Sequence, residues 1–192
     1  MNAAEPVAGP VGVVLAGGAG RRIGGAKAST MLAGRPLIAY PLAALRAVLA
    51  PVAVVVKRDS DLPPVGYGVE IWREPDEPQH PLVGIIEALR RADGRSVVVL
   101  ACDLPLVTPD VIRALLAAPP AAAVLARAGD DVQPLCARFA PGTLTSFAAA
   151  GPRDRLQDVV RSLAPAYVDV DPDVLMNVND PAGLALAEAR LG

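Results

Sequence analysis

The stretch Val11 to Lys27, VGVVLAGGAGRRIGGAK, constrains this chain more than any other, because an apolar run ends in five glycines, two arginines and a lysine within eleven residues. Val11, Val13, Val14 and Leu15 predict a buried strand, since a short continuous apolar run bounded by turn residues suits a parallel strand covered on both faces. Ala16 to Gly25 is then the exit loop of that strand. Gly17, Gly18, Gly20, Gly24 and Gly25 carry no side chain and permit positive φ, so successive backbone N–H groups can converge on one anion. Arg21, Arg22 and Lys27 add positive charge, which repels itself beside bare N–H groups unless an anion joins it. The expected ligand is a phosphate.

Two better-known phosphate loops do not fit. The P-loop needs glycine, lysine, then Ser or Thr, but Ala26 precedes Lys27 and Ala28 follows it. The dinucleotide fingerprint needs a third glycine where Ile23 stands, and Leu37 and Ile38 occupy the place of a ribose-binding acid.

The chain has 192 residues, enough to bury roughly 70% of its unfolded surface in one core. We expect Met1 to Pro10 to be a flexible N-terminus and residues 11–192 to form one domain. Hydrophobic residues reach 53% with only 3% aromatic, a core of Ala, Val and Leu that suits helices stacked on a parallel sheet. Net charge is −2, and beyond the glycine loop there is no basic block and little to stack on bases, so nucleic acid is not an expected partner. Cys102 and Cys136 lack CxxC spacing and read as buried free thiols. Without a leader-like N-terminus or ~18 uninterrupted apolar residues, no membrane association is expected and the location is taken as cytoplasmic. The assembly is expected to be a monomer or small homo-oligomer.

In order, the spacing predicts a helix over Leu37 to Leu49, with Pro41 in its first turn. Val52 to Lys57 and Val69 to Glu74 predict strands on either side of a loop, Arg58 to Gly68. A helix is expected over Leu82 to Ala92, a strand over Ser96 to Ala101, and a helix from Pro109 with Thr108 as N-cap. Ala121 to Ala128 and Gln133 to Phe139 predict a hairpin around Gly129-Asp130-Asp131. Helices over Thr143 to Ala150 and Leu156 to Leu163, a strand over Ala166 to Val170 and a last helix over Pro181 to Leu191 complete the chain. This is an α/β pattern: a single-domain, three-layer α/β/α arrangement with a Rossmann-like, mostly parallel sheet and a C-terminal hairpin. Ligands are expected at the carboxyl ends of the strands.

Asp103 emerges from an apolar strand at that rim and is held by Pro105. A hard carboxylate beside a phosphate loop suits Mg²⁺, which binds through one or two carboxylates plus substrate phosphates; the plain alternative is an acid that caps a loop or helix. Asn177 and Asn179 are either Asx-turn and capping residues or amides presented to a ligand. Asp180 is either an N-cap or a second metal ligand. Pro81-Leu82-Val83-Gly84 starts a helix whose free N–H groups could meet an anion or a base edge. His80 is the sole histidine and reads as incidental, which excludes zinc clusters and histidine dyads. Gln133 either presents an amide to a pocket or belongs to an ordinary edge strand. Arg153, Asp154 and Arg155 are either a solvated face or a basic lip, and Trp72 reads as sheet cover.

With these residues in place, the chain resembles the molybdenum cofactor guanylyltransferase family, the MobA type, over nearly its whole length. LAGGAGRRIGGAK at Leu15 to Lys27 is similar to the family's LAGGxSxRMGxDK, with Arg22, Gly24 and Lys27 in register. CDLPLVTPD at Cys102 to Asp110 resembles the strand-end metal segment, NVNDP at Asn177 to Pro181 resembles NVNTP near the pterin acceptor, and HPLVGI at His80 to Ile85 resembles the GPLAG helix start beside the base. Ala26 stands where the family often has Asp, and His80 replaces a Gly.

The resemblance implies a nucleotidyltransferase that moves GMP from GTP to the phosphate of molybdopterin with Mg²⁺, Mn²⁺ being the alternative ion. It implies catalytic roles for Arg22, Lys27 and Asp103, and nucleotide contacts from Leu15, Ala16, Gly17, Gly18, Gly20, Lys27, Pro81, Leu82, Gly84 and Asp103. Acceptor contacts would come from Gln133, Asn177 and Asn179, and the metal from Asp103. The acid at the nucleoside is Glu74 or Asp76, and we take Asp76. Rival readings are a CTP-using enzyme or one with a sugar phosphate or phospholactate acceptor, and a non-catalytic nucleotide or cofactor carrier.

Overall fold

The computed structural model describes residues 9–17, 27–151 and 154–192. In chain order the elements are β1 (Val11–Leu15), β2 (Met31–Leu32), β3 (Arg35–Pro36), α1 (Ala39–Arg46), β4 (Val52–Lys57), β5 (Val69–Glu74), α2 (Pro81–Arg91) and β6 (Val97–Ala101). Then follow α3 (Pro109–Ala117), β7 (Ala123–Ala128), β8 (Asp131–Phe139), α4 (Leu144–Ala149), α5 (Leu156–Ser162), β9 (Ala166–Asp169) and α6 (Pro181–Leu191).

Seven strands form one sheet in the order β5-β4-β1-β6-β8-β7-β9. β1 pairs in parallel with β4 and β6, β4 with β5, and β7 with β9, while β8 runs antiparallel to both β6 and β7. The sheet is therefore mostly parallel, with one reversed strand supplied by the β7–β8 hairpin. The chain winds outward from β1 through β4 to β5, then crosses to β6 on the other side. That reversal leaves a crevice beside the carboxyl end of β1, the place where open α/β sheets bind ligands.

Alternation along the strands divides the core into two layers. Val14, Val54, Val56, Val98 and Leu100 face α1 and α3, packing with Leu42, Leu45, Ile112 and Leu115. Val11, Val13, Ala53, Val55, Val97 and Val99 face the other way, against Leu82, Ile85 and Leu89 of α2 and Phe147 of α4. A smaller core of Leu32, Leu37, Val178 and Ala187 ties the β2–β3 hairpin to α6. No helix among the described residues is long and apolar enough to cross a membrane.

Several boundaries differ from the sequence expectation. The helix expected over Leu37 to Leu49 spans only Ala39–Arg46, because Ala33 and Gly34, both at positive φ, close the β2–β3 hairpin just before it. The Leu37 and Ile38 N–H groups then bond back to Thr30 and Ala28 instead of entering the helix. β8 begins at Asp131, so the hairpin turn is Gly129-Asp130, with Gly129 at φ 61°. Thr108 stands at the N-cap of α3, yet its side chain makes no capping hydrogen bond. β8 is an interior strand, not an edge. Pro134, which has no N–H to give, is tolerated because the β7–β8 register shifts there, Leu125 facing Ala137 and Ala126 facing Gln133.

Gly12 shows how closely α1 approaches the sheet. A Cβ at this position would lie 3.2 Å from both Leu45 Cδ2 and Val52 Cγ2. Gly12→Val adds two further methyl groups to that contact and is expected to lower stability by about 1–3 kcal/mol. The shift in the urea unfolding midpoint at unchanged slope measures it.

Candidate active site

The carboxyl ends of β1, β4, β5 and β6 and the start of α2 enclose a cavity of about 310 Å³, within the range of small-molecule sites. Leu15, Gly17, Lys27, Lys57, Glu74, Gly84 and Asp103 are among its lining residues, with Leu135 of β8 closing one side.

On one flank, three segments far apart in sequence meet at a single ammonium group. Lys27 opens a 3-10 turn, Lys27–Ser29, and its Nζ donates to Asp103 Oδ2 at 2.5 Å and to Asn179 Oδ1 at 2.6 Å. Lys27 and Asp103 are each 13% exposed, so the pair is partly screened by water but not free in it. The backbone holds this arrangement: Cys102 N–H donates to Leu15 O, and Val178 N–H donates to Asp103 O at 2.9 Å. The small core of Leu32, Leu37, Val178 and Ala187 holds the Asn177–Asn179 segment against the hairpin that follows Lys27. Gln133 Nε2 donates to Asn177 Oδ1 at 2.9 Å, while Gln133 Oε1 accepts from Leu135 N–H. The register shift in β8 thus sets Gln133 beside the Asn177–Asn179 segment. Asp180 is the N-cap of α6, accepting from Gly183 N–H at 2.7 Å, and its capping role decides between the two readings of that acid.

On the opposite wall lies a buried ion pair. Lys57 and Glu74 end β4 and β5 as direct register partners, and Lys57 Nζ lies 3.1 Å from Glu74 Oε1. Lys57 also donates to Pro75 O at 2.9 Å and Pro78 O at 3.2 Å. Glu74 Oε2 is buried without a hydrogen-bond partner among the described residues. Burial raises the Glu74 carboxyl above its ordinary pKa, and the Lys57 hydrogen bond and charge pull it back only in part. Asp76, by contrast, stands on the exit loop after β5, where its Oδ1 accepts from Asp59 N–H at 3.4 Å, and it does not line the cavity.

The helix start differs from expectation in its donors. His80 caps α2, its Nδ1 accepting from Leu82 N–H, and Val83 N–H bonds to His80 O. Those two N–H groups are consumed within the chain. Pro81 and Gly84 line the cavity, whereas Leu82 packs into the core. Ala16 is likewise buried, its N–H extending the ladder to Val55 O. Gly18, Gly20 and Arg22 lie outside the described residues, as do Arg21, Gly24, Gly25 and Arg153. Trp72 covers the sheet, its indole N–H donating to Glu70. Cys102 lines the cavity with its thiol pushed up to about 12 by burial, so it is an inert neutral wall.

Sequence reasoning passed over Lys57. The available signal was that VAVVVK and VEIWRE have equal length and end in opposite charges, so parallel pairing in register brings the two ends together.

Among the described residues no three His, Cys, Asp or Glu side chains converge to hold a metal unaided. Asp103 Oδ2 and Asn179 Oδ1 nevertheless present hard oxygens to one cation, the Lys27 ammonium. That donor set fits Mg²⁺ carried in by a polyphosphate, which needs one or two carboxylates and supplies the remaining ligands itself.

Comparison with known proteins agrees with this geometry. The model of the MobA-like NTP transferase domain matches residues 12–170. A molybdenum cofactor guanylyltransferase of Cereibacter sphaeroides is 33% identical over 187 residues, 94% of this chain and 96% of the relative. Another, from Rhodobacter capsulatus, is also 33% identical, over 94% of this chain and 95% of the relative. The crystal structure of molybdopterin-guanine dinucleotide biosynthesis protein A from Archaeoglobus fulgidus superposes with a TM-score of 0.75 at 26% identity, covering 94% of this chain and 98% of that one. In fold alone, 2-C-methyl-D-erythritol 4-phosphate cytidylyltransferase from Thermus thermophilus is similar, with a TM-score of 0.70 at 23% identity over 94% and 98% of the two chains. A mostly parallel sheet with its crevice beside β1, Leu15 and Gly17 lining that crevice, and these similarities over nearly the whole chain lead to one conclusion: the chain belongs to the MobA-like NTP transferase family and is a nucleotidyltransferase.

Proposed function

We propose that the enzyme transfers GMP from GTP to the phosphate of molybdopterin, releasing pyrophosphate, in the cytoplasm. The observation that carries this reading is the meeting of Lys27, Asp103 and Asn179 at the mouth of a cavity whose far wall holds the free oxygen of Glu74. The first group suits a triphosphate and its acceptor. The second suits a base that presents N–H donors.

The nucleophile in such a reaction needs little activation. A phosphate monoester has a second pKa near ~6, so it is already dianionic at neutral pH. This agrees with a site whose sole histidine is spent capping α2. The obstacle is bringing two anions together, which calls for neutralisation and in-line positioning instead of proton removal. Lys27 would release Asp103 and turn to the triphosphate, and Arg22 would add charge from the glycine loop. Asp103 would hold Mg²⁺, which supplies charge neutralisation across the phosphates when bound. Asn177, Asn179 and Gln133 would line the acceptor side.

Glu74, which lines the cavity as Asp76 does not, would stand at the nucleoside in place of Asp76. An ionised carboxylate accepts from the adjacent imino and amino N–H groups of guanine, whereas the same edge of cytosine offers one donor beside an acceptor. This favours GTP over CTP.

The test is pyrophosphate release with Mg²⁺, comparing GTP with CTP, each with and without molybdopterin. Release that requires both GTP and the pterin is expected. Preference for CTP would move the assignment to cytidylyl transfer, and binding without release would point to another acceptor or to a carrier.

A further inference from the structure

Lys57 reaches into the nucleotide cavity, yet its ammonium group is engaged within the protein: it donates to Pro75 O and Pro78 O and pairs with Glu74 Oε1 at 3.1 Å. Its effect on a ligand would therefore pass through Glu74. That carboxylate is boxed in: a Cβ on Gly17 would collide with Oε1, and one on Gly84 would lie 3.2 Å from Oε2, while Leu15 packs against the same face of Gly84. With Oε1 tied to Lys57, Oε2 is the atom left for a base.

We propose that Lys57 is a positioning residue that sets nucleobase choice by holding Glu74 ionised and turned with Oε2 toward the base. The inference rests on the GTP reading above. Its logic is a hydrogen-bond code. A carboxylate only accepts, and so complements the two donors on guanine; a protonated carboxyl both donates and accepts, the pattern that complements the N3 acceptor and amino donor of cytosine.

The charges around Glu74 leave Lys57 as its support. From β4 comes Lys57, from the loop after β5 comes Asp76, and from α2 comes Glu87, which Arg91 neutralises at 2.6 Å. Burial, Asp76 and Glu87 all favour the protonated carboxyl, and Lys57 opposes them. Removing the Lys57 charge would therefore turn the acceptor-only wall into a mixed one.

Lys57→Gln tests this, because a Gln amide can still donate to the Pro75 or Pro78 carbonyl without carrying charge. The binding of GTP, ITP and CTP with Mg²⁺ is measured by titration calorimetry between pH 5.5 and 8.5 on the wild type, Lys57→Gln and Lys57→Arg. ITP lacks the 2-amino group, and the GTP-to-CTP ratio cancels the titration of the triphosphate. The wild type is expected to prefer GTP to CTP, with the preference falling as the pH drops through the raised Glu74 pKa. In Lys57→Gln the ratio at pH 7 should fall by about 10- to 100-fold, the size of one charge-assisted hydrogen bond, and the acid limb should move to higher pH. Lys57→Arg, which keeps the charge, should retain most of the preference.

An unchanged GTP-to-CTP ratio and acid limb in Lys57→Gln would overturn the proposal. So would equal weakening of all three nucleotides, since that is what general damage to the cavity produces. Should Lys57→Gln fail to fold, loss of the GTP preference in a folded Lys57→Arg would overturn the proposal, and retention would support it. A wild type that prefers CTP would instead refute the GTP reading, independently of Lys57.

Discussion

Asp103→Ala is expected to lower kcat by roughly 10³-fold while changing the KM for GTP by less than about tenfold. The Asp103 backbone carbonyl, not its side chain, accepts from Val178 N–H, so the segment bearing Asn177 and Asn179 stays docked. The lost group is one carboxylate at the end of β6, whose only hydrogen bond among the described residues comes from Lys27. Freed from that partner, Lys27 keeps its bond to Asn179 and becomes more available to a triphosphate. Ground-state binding should therefore survive, and GTP affinity measured without metal should hold or rise. In the proposed reaction the chemical step then loses its anchor for the divalent ion. Asp103→Asn, which keeps the shape but not the charge, should fail nearly as badly. Measuring kcat, and separately the Mg²⁺ concentration that gives half-maximal rate, checks this; near-normal turnover would remove Asp103 from the reaction.

The strands Val52–Lys57 and Val69–Glu74 and the last helix, Pro181–Leu191, have the bounds expected from the sequence, each opened by a proline or glycine that breaks the preceding pattern. The first helix was read too long. Leu37 belongs to the helical pattern by spacing, but tertiary contacts recruit it to the small core with Val178 and Ala187, and its N–H bonds backward to Thr30. A hairpin of two-residue strands leaves no periodicity to detect.

At the site, residues whose chemistry is local were legible. Lys27, Asp103 and the Asn177–Asn179 segment each stand beside a glycine, a proline or a strand end that marks a rim. What the sequence did not carry was who meets whom. The Lys27–Asn179 bond joins residues 152 apart, and the choice of Glu74 over Asp76 depends on which side chain a strand turns inward. His80 shows the same limit from the other side: nothing in HPLVG says that the ring accepts from Leu82 N–H and so removes a donor from the cavity wall.

Lys27→Ala is expected to reduce kcat/KM for GTP by roughly 10²- to 10³-fold, with both a higher KM and a slower chemical step. Its ammonium lies 2.5 Å from Asp103 and 2.6 Å from Asn179, which in the proposed reaction is the junction of the two substrates. A charge in that place binds the triphosphate in the ground state and more strongly as charge develops on the leaving pyrophosphate, so neither constant should escape. The bond to Asn179 adds a sharper expectation. Without Lys27 the Asn179 amide loses the partner that orients it, and the KM for the molybdopterin acceptor should rise together with that for GTP. Lys27→Arg should rescue poorly, because a planar guanidinium does not fit between two oxygens that a compact ammonium bridges. Two-substrate initial-rate kinetics on both variants separates the effects. If only the KM for GTP moves, Lys27 is a phosphate contact alone; if neither KM nor kcat moves, it lies outside the reaction.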